Sequence, residues 1–143
     1  MAQRLRINTP SGDWRSFKFT HAISGLTMTE DLIYKIEDTV GVLLLPIQYG
    51  SQGEKLAKTI TEDDEGVLFY HAEKIMVYKI ARTGYSFLPG DNVYWSGVQG
   101  ASVTPIYQSG FYTIGICVRA AGENDTSVMI DLKGDKASIT HPL

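Results

Sequence analysis

The sequence predicts a mostly β domain, a small antiparallel β-barrel or sandwich with an N-terminal arm, on three observations. Val, Ile, Thr, Tyr, Phe and Trp supply 49 of the 143 residues, and these types pack best on a pleated, half-buried surface. Stretches of period-two alternation recur along the chain, most clearly towards its C-terminal end. Gly, Pro, Asn and Asp punctuate them at Asp38, Gly50, Gly53, Asp63-Asp64, Gly84, Pro89-Gly90-Asp91, Gly97 and Gly100. Eight short strands at this spacing suit a barrel or sandwich.

Taken in order, residues 1–25 read as a polar arm in which Pro10-Ser11-Gly12 precedes the aromatic group Trp14, Phe17 and Phe19. The β domain is expected over 26–143. Its first candidate strands are 31–37 and 41–48. The stretch 52–59, with Ser51 as a cap, suits one or two turns of helix and equally a loop. Further candidates follow at 66–71, 74–81, 92–95 and 102–107. Pro89-Gly90-Asp91 is expected to reverse the chain into a strand with Val93 and Trp95 on one face and Tyr94 on the other. Near the C-terminal end, Tyr112, Ile114, Ile116 and Val118 share a face, with Thr113, Gly115 and Cys117 opposite. Beyond the turn-rich 121–125, Val128, Ile130 and Leu132 repeat the pattern, so the pair reads as a hairpin with a polar tip. Gly115, inside a strand, marks a bulge or a close backbone approach.

Composition narrows the function classes. Thirteen Lys and Arg against sixteen Asp and Glu give a net charge of −3 and a pI near 5.5, so no broad basic face is expected to neutralise phosphates, and nucleic acid is not an expected partner. With 43% hydrophobic and 20% charged residues, the chain lies far from the disordered corner of composition space. A chain of this length buries roughly 68–70% of its unfolded surface, so it needs neither metal nor disulfide to fold. Cys117 stands alone, which excludes an intrachain disulfide and a Cys-based zinc cluster. No apolar core follows the arginines of MAQRLRINTPSGDW, and the longest apolar run is near 42–47; neither a secretion signal nor a membrane span is expected.

No catalytic signature is present: there is no GxSxG elbow and no GxxxxGK[ST] loop, and Gly50-Ser-Gln-Gly53 has the wrong spacing. His21, His71 and His141 are too far apart for a local metal motif and read as solvent-exposed or strand-edge residues. Glu62-Asp63-Asp64-Glu65 lacks the alternating ligands of a calcium loop and reads as a solvated turn. Cys117, between Ile116 and Val118, reads as a small core hydrophobe rather than a reactive thiol. Asn124-Asp125-Thr126 has the form of a glycosylation site, without a secretory context. No enzyme activity and no cofactor are expected.

Gly90-Asp91-Asn92-Val93-Tyr94-Trp95 begins an ordered series: Val103-Thr104, then IGICVRAA at 114–121, then SVMIDLKG at 127–134. Upstream lie Ile33 to Ile36, Val40-Gly41-Val42 and EKIMVYKIA at 73–81. This series resembles the tailed-phage capsid cement, or head decoration, proteins, a family once catalogued as of unknown function, over roughly residues 30–134. The longer polar N-terminal segment and the insertion-like 49–64 depart from that pattern. The resemblance implies a structural protein of the virion, made in the bacterial cytoplasm. It would bind the outer face of an assembled shell of major capsid protein, as a homotrimer at three-fold positions, with no enzymatic role.

Residues 1–25 carry a local charge of +3, from Arg4, Arg6, Arg15 and Lys18 against Asp13, on an otherwise acidic chain. The expected partner-binding residues are therefore Arg4, Arg6, Trp14, Phe17 and Phe19, with charges steering and aromatics anchoring. The opposing reading is an N-terminal strand of the domain's own sheet, because Ser16-Phe17-Lys18-Phe19-Thr20 alternates. A second functional class also fits: a carbohydrate- or ligand-binding β-barrel module of a phage or bacterial surface structure, stacking its ligand on exposed Tyr and Trp.

Overall fold

The computed structural model describes residues 14–45, 48–49, 51–52, 55–56 and 59–134, and among them every regular element is a strand. In chain order these are β1 (Arg15–Thr20), β2 (Met28–Thr29), β3 (Ile33–Ile36), β4 (Thr39–Leu44), β5 (Gln48–Tyr49), β6 (Lys55–Leu56), β7 (Thr59–Ile60), β8 (Glu65–Tyr78), β9 (Asn92–Trp95), β10 (Tyr112–Arg119) and β11 (Ser127–Lys133). Seven make one antiparallel sheet in the order β3-β4-β8-β11-β10-β9, with β1 also paired to β8. The sheet curls into a half-barrel, and β2-β7 and β5-β6 are two short ladders beside it. The helical option for 52–59 does not hold where it is described, since Lys55–Leu56 and Thr59–Ile60 both pair as strands.

The expected strands 66–71 and 74–81 are one strand of fourteen residues, β8. It carries two bulges. Opposite β1 the register slips between Arg15↔His71 and Ser16↔Phe69, leaving Tyr70 over. Opposite β11 it slips between Ile130↔Ile75 and Leu132↔Ala72, so Glu73 and Lys74 share one partner, Asp131. Lys74 adopts φ 54°, and its N–H donates to the Asp131 carboxylate at 3.0 Å. The bulge advances the side-chain phase by one, which is how Ala72, Ile75 and Val77 all enter the same core despite unequal spacing.

The same device corrects the expected faces of β10. Ile116 is 41% exposed, whereas Cys117 is 2% exposed and inside the core. The register against β9 slips between Thr113↔Tyr94 and Gly115↔Val93, so the inward sequence runs Ile114 then Cys117. Gly115 makes this possible: a Cβ there would lie 2.1 Å from the Asp131 carbonyl oxygen. Bulges sharpen local twist, and a sheet of few strands needs that twist to curl on itself.

The segment after β9 closes the curl. Gly100 N–H donates to the Ile33 carbonyl at 2.7 Å. The Gln99 side chain meets both backbone groups of Lys35, accepting from its N–H at 2.8 Å and donating to its carbonyl at 2.9 Å. One amide thus does for edge strand β3 what a neighbouring strand would do. The expected strand 102–107 is reduced to a two-residue stitch. Thr104 exchanges both backbone bonds with Tyr94, and Val103 bonds Tyr78 and Ile80 at the end of β8. Gln99→Leu is expected to cost about 1–3 kcal/mol in urea unfolding, because it strands a donor and an acceptor together. Gln99→Glu keeps the acceptor for Lys35 N–H but sets a second acceptor against the Lys35 carbonyl, so it too should be destabilising; a wild-type midpoint for Gln99→Leu would remove the closing role.

Two apolar clusters hold the sheet. Inside the curl lie Trp95, Val93, Phe87, Ile114, Ile130 and Leu132, all 0–1% exposed. On the other face of β4 and the first half of β8 lie Phe19, Met28, Tyr34, Leu43, Ile60 and Leu68, with the β2-β7 ladder alongside. Tyr34 is buried and its hydroxyl accepts from Thr29 N–H at 2.7 Å, so its polar end is satisfied.

Of residues 1–25, the described part contains β1, which is the own-sheet strand of the opposing reading. Arg15–Thr20 pairs with β8 along Glu65 to His71, because its alternating Phe17 and Phe19 give it an apolar face that the second cluster covers. The first half of that arm, residues 1–13, lies outside the described residues.

Candidate functional site

Of the five residues expected to bind a partner, Arg4 and Arg6 lie outside the described residues. Phe19 is 8% exposed and belongs to the second core cluster, so its ring serves the domain itself. Phe17 is half-buried on the same face, 6.3 Å from the Phe19 ring and 5.8 Å from Tyr70. Trp14 stands edge-on to Phe69 at 5.3 Å, half-buried against the first cluster, and its indole N–H is buried without a hydrogen-bond partner. Arg15 and Lys18 are exposed. The described part of the site is therefore an edge of the domain's own sheet carrying two half-covered aromatics and two cations.

The titratable residues have structural roles. His21, expected to be exposed or at a strand edge, is fully buried. Its Nδ1 accepts from Ile23 N–H at 3.0 Å and its Nε2 donates to the Leu26 carbonyl at 2.7 Å, which fixes the tautomer and folds the chain after β1. In the acidic run, the Asp64 carboxylate accepts from the N–H and hydroxyl of Thr61 at 2.9 and 3.3 Å, making an exposed tight turn. Among the described residues no group of three His, Cys, Asp or Glu could hold a metal ion. Lys79 is 3% exposed and gives its ammonium to the carbonyls of Ile80, Asp125 and Glu123 at 2.8, 2.9 and 3.3 Å. Burial pushes its pKa down, and the charges of Asp125 and Glu123 oppose that.

Cys117 Sγ donates to the Arg119 carbonyl at 3.0 Å, and burial pushes the thiol pKa up. A thiol reagent at neutral pH should therefore react only with unfolded protein. Folded Cys117 holds its proton more tightly than the unfolded thiol, whose ordinary value is 9.0. Below that pH, wild type and Cys117→Val should differ by a constant amount. Above it, wild type should lose stability relative to the variant as pH rises. Rapid labelling of the native protein would contradict this.

Sequence reasoning missed the outer side of the β9-β10 end. Leu88 is 64% exposed, Ile106 40% and Ile116 41%. Ile116 stands opposite Asn92, next to Tyr94, whose ring meets Tyr107 at 5.7 Å. The available signal was Gly115: a bulge at that glycine turns the following isoleucine outwards.

Comparison with known proteins returned no matching family model, no matching curated protein and no matching solved structure.

Proposed function

We propose that this chain is a structural protein of a tailed-phage head, a cement or decoration protein that binds the outer surface of the assembled capsid and stabilises it. The observation that carries the reading is the order of the segments resembling that family. Gly90 to Trp95, Val103-Thr104, 114–121 and 127–134 occupy β9, the closing stitch, β10 and β11, which are neighbours in one curled sheet. A small, rigid domain of this kind suits a role in which many copies each make a modest contact. Symmetry supplies the strength: a homotrimer on a three-fold site engages three equivalent shell positions, and avidity multiplies weak contacts. The proposed contact surface on this chain is Trp14 and Phe17 with the cations of β1 and the preceding Arg4 and Arg6.

Co-sedimentation tests the reading. The protein should pellet saturably with heads assembled from the major capsid protein of its phage, at three copies per occupied site. No pelleting with such heads would overturn it. The double variant Trp14→Ala, Phe17→Ala should bind heads less tightly. If it binds as wild type does while the domain loses stability, β1 serves only its own sheet.

A further inference from the structure

Apart from any role for β1, we propose that the groove beside Tyr94 is a binding site for a neutral saccharide. The groove holds about 500 Å³ between the loop that precedes β9 and Pro105-Ile106, a volume suited to a small ligand. Its one aromatic wall is Tyr94, held in place twice over. Tyr107 meets its ring edge-on at 5.7 Å, and its backbone exchanges two hydrogen bonds with Thr104 at 3.0 and 2.9 Å. Pro105 and Ile106, the latter 40% exposed, add a small apolar patch to a mostly polar lining. A sugar ring presents C–H faces to such a wall and hydroxyls around its rim.

The polar groups stand where hydroxyls would need them. Ser86, Asp91 and Asn92 line the same groove. Asp91 is oriented by accepting from Leu88 N–H through Oδ2 at 2.8 Å, and its second oxygen can accept from a hydroxyl. The Asn92 amide, 3.4 Å from the Tyr94 hydroxyl, offers both a donor and an acceptor. Gly84 and Gly90 complete the wall, and a Cβ at either would meet nothing within 4 Å, so the backbone side of the groove is open to a ligand. Among the described residues, Asp91 is the one charged member of the lining. A carboxylate in the lining disfavours phosphates and acidic sugars, and the hydroxyl-matching groups around it suit a neutral sugar.

This inference is independent of capsid binding and is tested on the isolated protein. Amide NMR spectra would be recorded during titration with maltotetraose, chitotetraose and, as an anionic control, tetragalacturonate. At least one neutral probe should give saturable shifts at 84–94 and 104–107, with a dissociation constant on the order of 1 mM, and the anionic probe should not. Tyr94→Phe should retain binding, and Tyr94→Ala should weaken it about tenfold. Because Tyr94→Ala also removes the contact with Tyr107, exposed Asn92→Ala provides a second variant, expected to weaken binding several-fold without disturbing the rest of the spectrum. Absence of saturable shifts with both neutral probes, shifts confined to other surfaces, equal binding of tetragalacturonate, or unchanged affinity in both alanine variants would overturn the assignment.

Discussion

Gly134→Ala should cost about 4 kcal/mol or more in urea unfolding, among the largest effects of any single methyl in this chain. Gly134 directly follows β11 and bonds to two other strands. Its N–H donates to the Tyr70 carbonyl at 2.6 Å, and its carbonyl accepts from Val40 N–H at 3.0 Å. A Cβ built there would lie 1.6 Å from the Val40 carbonyl oxygen and 2.7 Å from its carbon. Both clashing atoms are backbone, so no rotamer relieves them; β4 or the end of β11 has to move, and the bonds joining them go with it. Gly84→Ala is the control. Gly84 has φ +85° and open space around it, so its alanine pays only conformational strain, about 1–2 kcal/mol. Equal midpoints for Gly134→Ala and wild type would show that this three-way junction is not built as described.

Trp95→Ala should cost about 3–5 kcal/mol. Trp95 is fully buried in the first cluster, with its ring tilted against Tyr112 at 5.8 Å. Its indole N–H donates to the Ala101 carbonyl at 3.1 Å. That carbonyl belongs to the segment that carries Gln99 and the Val103-Thr104 stitch, so Trp95 both fills the barrel and holds its closing segment. Trp95→Phe keeps an aromatic ring, loses the hydrogen bond and leaves a smaller void, so it should cost about 1–3 kcal/mol. Combining Gln99→Leu with Trp95→Phe should give a non-additive loss, since both act on one segment. A Trp95→Ala protein with wild-type stability would contradict the core assignment. Because the tryptophan of the GDNVYW segment is inside the domain, any loss of the proposed capsid binding in these variants should follow the loss of fold.

What the sequence determined by itself was local. Alternation and turn residues identify the β class, the strand at 92–95 with Val93 and Trp95 sharing a face, and the 112–132 hairpin. Gly115 announced a bulge or a close approach from its type and place alone, and the structure has both. Each of these depends on φ/ψ preference and the two-residue period, which a chain carries without knowing its neighbours.

The tertiary structure alone decided the rest. Whether Ile116 or Cys117 faces the core depends on how many residues of β10 stand opposite each residue of β9. The continuity of β8 through Lys74 depends on Asp131, 57 positions away. His21 is buried because carbonyls and amides further along the chain receive it, and β1 belongs to the sheet because β8 offers it an edge. Strand register and edge coverage are pairings between distant segments, and a one-residue slip reverses every side chain beyond it. The energy that selects one register over the next is the burial of a whole face, and that exists only once both strands are in place.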